Sequence, residues 1–381
     1  MLQRDEIILN LQPSRILVCQ QRQIGDVLLA TPALELLRRR FPKAAIHVLT
    51  ESKCTPVLVH NPHIDHVWSL DKGSLPTLWD ELQWYKNAAR QGYDLLINFQ
   101  PTLPRLHWVV FFSKARVRLS GPVPWYLRPL YTHIADWLDE RETCEEEYQE
   151  ESCEAVYASE AKIRVLSQLG ITWRGERPRL YLTQDETVNA ARYLDKIGLR
   201  CSDTLVTIAP AHKRTTRQWP TRHYAQMIEV LTGMAKQKGL VLRFLPVWGP
   251  GEIGTVRELV AHADANGVAD SLIVPDRMFT LREMAACISR ASLHIGNCSS
   301  PRHIAVAVGT PTCTAHGSTG PEWICPAREG QPQDHVGLFS YQDCQPCERN
   351  ACRKSDDEAP CLVNLTPDRM AEAAFRFFKK T

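Results

Sequence analysis

Residues 20–34 read QQRQIGDVLLATPAL. They follow a short β-rich run at residues 15–20 (RILVCQ) and lead into a helical stretch near 27–40, where Leu28, Leu29, Ala33, Leu36 and Leu37 keep helical spacing. Strand, glycine-bearing loop and helix in that order make the first half of a βα unit. Further strands are expected at residues 45–50 and 93–99. Residues 174–185 mix Gly, Pro and charges as linkers do. A second series then places strands at 204–209, 241–246, 271–274, 293–296 and 312–316. The alternation predicts an α/β chain with mostly parallel sheets, built as two Rossmann-like domains facing a central cleft. Ligands of such sheets settle beyond the carboxyl ends of the strands, so the loops after Gln20, Ala209, Pro246 and Gly296 are where a site is expected.

Composition narrows the classes. At 381 residues, with 44% hydrophobic and 23% charged residues, the chain is long enough for two domains with separate cores. A formal net charge of +2 argues against bulk nucleic-acid binding, so an anionic ligand must meet locally placed cations. The first dozen residues lack a signal-peptide pattern, and the longest strongly apolar run, 108–112, is too short to cross a bilayer. The expected location is cytoplasmic, peripheral at most to the inner membrane, with no transmembrane segment. Thirteen cysteines, several lying singly in apolar runs (Cys19, Cys287, Cys313), argue against a secreted disulfide framework. The acidic stretch 139–154 reads as a solvated helix or surface loop.

The candidate chemistry sits in the loops. Asp26 follows Gly25 at the turn into the first helix, where a carboxylate can cap the helix or face a ligand; Gly25 allows a close approach or a positive φ. No GxGxxG is present, which removes the main sequence support for a nicotinamide or flavin cofactor. Lys213, Arg214 and Arg217, with Thr215 and Thr216, form a post-strand loop able to meet a pyrophosphate, or a solvated basic turn. Residues 297–302 open the helix carrying His303, a natural anion site, although His303 equally suits a core position. Cys344, Cys347, Cys352 and Cys361 have CxxC-x4-C-x8-C spacing, compatible with a structural zinc or iron–sulfur site, with reduced thiols or with a local disulfide.

Taken together, GDVLLATPAL, TLVTIAP followed by AHKRTTRQWPTRHYAQMI, LRFLPVWGPGEIGTVREL, and residues 279–326 around HIGNCSSPRHIAVAVGTP resemble glycosyltransferase family 9, the ADP-heptose:lipopolysaccharide heptosyltransferases. The resemblance implies the GT-B fold, with residues 1–180 binding acceptor, 181–365 binding the nucleotide sugar, and a helix in 366–381 packing back on the first domain. It implies inverting transfer of a heptose from ADP-heptose to the lipopolysaccharide inner core. Asp26 would be the general base, and no cofactor or metal would be required. Lys213, Thr215, Thr216, Arg217, Glu252, Asn297, Ser299, Ser300 and His303 would hold the donor. Arg217 stands where the family has lysine, and Glu252 matches the glutamate that holds the ribose. Lys53 and Arg105 are the acceptor-binding candidates. The chain departs from the Gly-Asn-Asp-Ser-Gly-Pro pattern by placing Cys298 at the Asp and Ser300 at the second Gly. A family member with another nucleotide sugar or acceptor, a donor-binding homologue without catalysis, and a redox protein are the alternatives.

Overall fold

The computed structural model describes residues 8, 10–135 and 155–378, so the acidic stretch at 139–154 lies outside the described residues. The chain divides into two compact units, Met1–Tyr181 and Leu182–Thr381.

In unit 1 the chain runs β1 (Arg15–Cys19), α1 (Ile24–Leu29), α2 (Thr31–Arg40), β2 (Ala45–Glu51), β3 (His66–Leu70) and α3 (Leu78–Ala89). It continues through β4 (Leu95–Asn98), α4 (Leu106–Ser113), β5 (Val117–Ser120), β6 (His133–Ile134) and α5 (Ala158–Arg164). The sheet order is β3-β2-β1-β4-β5-β6, all parallel, with Val18 opposite Val48 on one side and Ile97 on the other. Ile16, Leu17, Val18 and Cys19 are all buried, as a central parallel strand covered on both faces requires. The single helix expected near 27–40 is two, separated at Ala30. Pro32 has no N–H to offer the Leu28 carbonyl, and the Thr31 hydroxyl donates to it instead at 2.7 Å.

Unit 2 contains α6 (Gln184–Lys196), β7 (Asp203–Ala209), α7 (Thr221–Lys236), β8 (Val241–Pro246), α8 (Ile253–Ala265), α9 (Leu281–Ser289) and β9 (Leu293–Asn297). It ends with α10 (Ser300–Val308), β10 (Thr312–His316), β11 (His335–Phe339), α11 (Pro360–Val363) and α12 (Pro367–Phe375). Its parallel sheet has the order β11-β10-β9-β7-β8. Helix α7 buries Tyr224, Met227, Ile228, Leu231 and Ala235, one helical face, against Val206, Phe244 and Trp219. The strand expected at 271–274 is absent; only a single bridge, Phe244 to Leu272, forms there. Met370, Ala371 and Ala374 of α12 belong to unit 2's own core, so its apolar face is buried within that unit.

Candidate functional site

In unit 1 the order β2-β1-β4 brings the loops after three neighbouring strands to one edge of the sheet. The loop after β1 is held from both sides. Gln100 Oε1 accepts from the backbone N–H of Gln21 at 2.8 Å and of Arg22 at 3.1 Å, while its Nε2 donates to the Arg22 carbonyl at 3.0 Å. On the other side the Gln21 carbonyl accepts from the Glu51 N–H at 2.7 Å and the Thr50 hydroxyl at 3.1 Å. The turn into α1 is made by Gln23, with φ +66°, and of the close approach or positive φ that Gly25 would allow, the positive φ falls on Gln23, while Gly25 is a buried helical residue.

Asp26 is therefore not the N-cap. It is the third residue of α1, and no side-chain hydrogen bond caps that helix. Its half-buried carboxyl is raised above its ordinary pKa by burial, with the ammonium of Lys162 opposing the shift. Burial lowers Lys162 in turn, with Asp26 opposing. Lys162 comes from α5, where its Nζ donates to Gln20 Oε1 at 2.9 Å. Nothing local in residues 158–164 marks it as part of the β1 loop.

Both acceptor candidates lie on the same edge, and both are paired. Lys53 Nζ is 2.8 Å from Glu51 Oε2, and Lys72 Nζ is 2.8 Å from the other carboxylate oxygen. Burial pushes Glu51 up, but the two ammonium groups outweigh it and the net shift is down. Arg105 pairs with Glu81 of α3, and this contact raises the Arg105 pKa. Glu81 precedes Tyr85 by one helical turn, and the Tyr85 hydroxyl meets Gln21, so Arg105 is tied through α3 to the β1 loop.

In unit 2 the order β10-β9-β7-β8 does the same for the second set of loops. Asn297, at the end of β9, accepts from the Trp219 N–H at 2.9 Å and donates to the Pro210 carbonyl at 3.0 Å. Fully buried, its amide clamps the loop after β7 to β9. Within that loop, Lys213 and Thr215 are exposed. Thr216 is buried: its hydroxyl donates to the Arg349 carbonyl at 2.6 Å and accepts from Ser318 Oγ at 3.3 Å. Arg217 Nη2 is 2.5 Å from Glu348 Oε2, and Arg217 Nε donates to Ser318 Oγ at 3.3 Å. His212, pressed by burial and then by the Arg217 charge, is lowered to about 4 and stays neutral near pH 7. Glu252, just ahead of α8, accepts from the Gly249 N–H at 2.7 Å.

Ser299 caps α10 by position, yet its buried Oγ has no hydrogen-bond partner; Ser300 is the first residue of the helix. His303 takes the core position. It is buried, its pKa is held well below the ordinary value by burial and by Arg302 and His316, and its ring lies 6.0 Å from that of Trp323. Asn297, Thr216 and His303 thus shape the loops from beneath, while Lys213, Thr215, Ser300 and part of Arg217 reach the surface. Sequence reading missed the residue that brings the β7 and β10 loops together. A Cβ on Gly317 would sit 2.1 Å from the Thr216 carbonyl oxygen, so only glycine permits the approach.

The four clustered cysteines, with Thr216 and Ser318, line a cavity of about 520 Å³. They are free thiols, and Cys361 is pushed up to about 11 by burial and then by the other three. Among the described residues no three His, Cys, Asp or Glu side chains come together as a metal-holding group, so the tetrahedral site that the spacing allowed is not formed.

Two parallel-sheet units with loops gathered at their carboxyl edges define a GT-B scaffold. The model of glycosyltransferase family 9 (heptosyltransferase) matches residues 85–356, well over half of the chain, and the chain belongs to that family. It is a glycosyltransferase. Lipopolysaccharide heptosyltransferase 3 of Escherichia coli (strain K12) is 26% identical over 316 residues, covering 78% of this chain and 81% of the relative. Lipooligosaccharide heptosyltransferase 2 of Haemophilus ducreyi is 21% identical, covering 94% and 97%. Among solved structures, a family 9 glycosyltransferase from Veillonella parvula superposes with a TM-score of 0.75 at 21% identity, over 96% of this chain and 97% of that one. The E. coli ADP-heptose lipopolysaccharide heptosyltransferase II superposes with a TM-score of 0.67 at 15% identity, over 95% and 98%.

Proposed function

We propose that this enzyme transfers a heptose from ADP-heptose to the inner core of lipopolysaccharide with inversion at the anomeric carbon. Residues 1–180 take the acceptor and residues 181–365 the donor. The observation that carries the reading is Asp26: a carboxylate at the sheet's carboxyl edge, free of capping duty, with its pKa raised by burial. Such a group can take the proton of an acceptor hydroxyl as its oxygen attacks the anomeric carbon. The bond to the diphosphate breaks in the same step. The charge that develops there falls to Arg217 and to the amides at the start of α10. Lys213, Thr215 and Ser300 line the approach, and Glu252 offers a carboxylate to the ribose hydroxyls. Lys53 and Arg105 offer charge to an anionic acceptor. The names of the similar proteins support heptose and a lipopolysaccharide-type acceptor. None of the helices described is long and apolar enough to cross a membrane. On this reading the enzyme works at the cytoplasmic face of the inner membrane, where such an acceptor would be presented.

Incubation with ADP-heptose and a heptose-deficient lipopolysaccharide, read by mass spectrometry and by NMR of the new linkage, tests the reading. Transfer only from another nucleotide sugar, or to another acceptor, would reassign the substrates. Cys298 and Ser300 favour a second reading, a donor-binding homologue without catalysis; ADP-heptose binding with no transfer to any acceptor would establish it.

Two outcomes are expected along the way. Arg217→Ala weakens ADP-heptose binding by ~1.5–3 kcal/mol, the weight of one charged hydrogen-bonded contact. Unchanged calorimetric affinity would remove Arg217 from the donor site. Lys162→Met moves the acid limb of kcat/KM to higher pH. The base acts deprotonated, and the variant lacks the charge that opposes the upward shift of Asp26. An unmoved limb would separate Lys162 from the base.

A further inference from the structure

The segment between β11 and α11 fastens the β7 and β10 loops together. Glu348 pairs with Arg217 at 2.5 Å, and its N–H donates to the Ser318 carbonyl at 2.9 Å. The Gln345 side chain donates to the Gly317 carbonyl at 2.5 Å, and the Arg349 carbonyl accepts from the Thr216 hydroxyl at 2.6 Å. All these contacts come from residues 345–349, a run that contains Cys347 and directly follows Cys344. Those two are the accessible thiols of the cluster: Cys344 is exposed, Cys347 is half-buried, and both are free. Cys361 is buried, which pushes its thiol up to about 11, and Cys352 Sγ accepts from the Lys354 N–H at 3.4 Å. A buried, poorly ionised thiol is a slow nucleophile, whereas CxxC is the spacing of dithiols that exchange with disulfides.

The cavity of about 520 Å³ beside them has a lining of one charge sign. Its charged residues, Arg349, Arg353 and Lys354, are all cations, and none of the described residues lining it is a carboxylate. Lys354 also lies 3.8 Å from the exposed Asp343. Such a lining favours a small anionic molecule, and the thiols give that molecule a partner for reaction.

We propose that Cys344 and Cys347 form a redox-active pair oxidised by a small anionic disulfide of the glutathione type, and that closing the pair lowers affinity for the nucleoside diphosphate donor. The effect on affinity rests on the reading that the β7 and β10 loops hold the donor. The Cys344 thiolate attacks one sulfur of the small disulfide, breaking its S–S bond and releasing one thiolate. The Cys347 thiolate then attacks the Cys344 sulfur of the mixed disulfide, and the second small thiolate leaves. Two protein thiols are oxidised, one disulfide is reduced to two thiols, and the two protons pass to the leaving thiolates. The new bond fixes the separation and direction of both cysteines, so the backbone of 344–347 is reshaped. Gln345 lies inside that ring and Glu348 beside it, and their contacts with Gly317, Ser318 and Arg217 open. Loops that lose those contacts must be ordered again by the ligand, which weakens its binding. In a compartment kept reducing, a disulfide of this kind is transient and reports the redox state.

The test uses the full chain in three states: reduced, treated with oxidised glutathione, and reduced again with dithiothreitol. Disulfides are mapped by mass spectrometry and ADP affinity is measured by calorimetry. Oxidation is expected to link Cys344 to Cys347 and to weaken ADP binding about tenfold, reversibly. Cys344→Ser with Cys347→Ser is expected to bind ADP like the reduced wild type and to keep that affinity in oxidised glutathione. Should the double variant fail to fold, Cys344→Ser alone decides by the same readout. Absence of the 344–347 bridge overturns the proposal, as does a bridge that leaves ADP affinity unchanged or raises it. An oxidative loss of affinity that persists in the double variant overturns it too. Zinc or iron held in stoichiometric amount and released when both cysteines are replaced would make them metal ligands, with the same result. If the reduced wild type does not bind ADP, the donor reading falls and the effect on affinity with it, while a mapped, reversible bridge would still uphold the redox pair.

Discussion

Asp26→Asn is expected to lower turnover by ~10²–10⁴-fold, the range lost with a positioned general base. Asparagine keeps the size and polarity of the side chain and removes its proton acceptance. Stability should hold, because the carboxylate caps nothing in α1 and burial already disfavours its charged form. Donor affinity should also be unchanged, since Asp26 belongs to unit 1 and the proposed donor loops to unit 2. Single-turnover rates at saturating donor, beside a melting curve, decide the matter. Near-normal turnover would dismiss the base, and a variant that unfolds would show Asp26 to be a structural residue instead.

Gly317→Ala should be the most damaging of the small substitutions. The added Cβ would lie 2.1 Å from the Thr216 carbonyl oxygen and 3.0 Å from Leu362, so backbone rather than a flexible side chain has to move. The hydrogen bond from the Ser318 N–H to that carbonyl, now 3.0 Å, and the Ser318–Thr216 hydroxyl contact must open together. Overpacking of this kind costs ~1–3 kcal/mol, and broken hydrogen bonds add to it. The displaced segment is 215–217, so ADP affinity should fall about tenfold or more alongside the melting temperature. Gly233→Ala is the control. It lies in α7 with nothing within 4 Å of the new Cβ, and alanine there should stabilise by up to ~1 kcal/mol. If both variants bind ADP like the wild type, the Gly317 contact does not shape the donor site.

Much of the architecture was legible along the chain. Short apolar runs such as 15–20 and 204–209 and helical periodicities such as that of α7 report local geometry, because the periods of strand and helix are written in consecutive side chains. The loops after β1, β7, β8 and β9 followed from them, and Asp26, Arg217 and Glu252 came with the loops. Local pattern was weaker where one residue decided. Pro32 split the first helix, the residues at 271–274 stayed out of the sheet, and short strands such as β5 and β6 left no clear period.

By itself the sequence determined the fold class, the two-unit order and which loops carry the polar chemistry, since each depends on short-range pattern. Only the tertiary structure decided what those polar groups are to one another. Lys162 reaches Asp26 because α5 returns to the β1 loop, Gly317 touches Thr216 because β10 and β7 flank β9, and Asn297 turns inward to tie two of those loops. Arg302, in the first turn of α10, is buried in the fold. The physical reason is common to all four: pairing, burial and the shift of a pKa depend on strand order and on which helix face meets the core. Those quantities are set by the cooperative packing of segments that need not be neighbours along the chain, which no local period records.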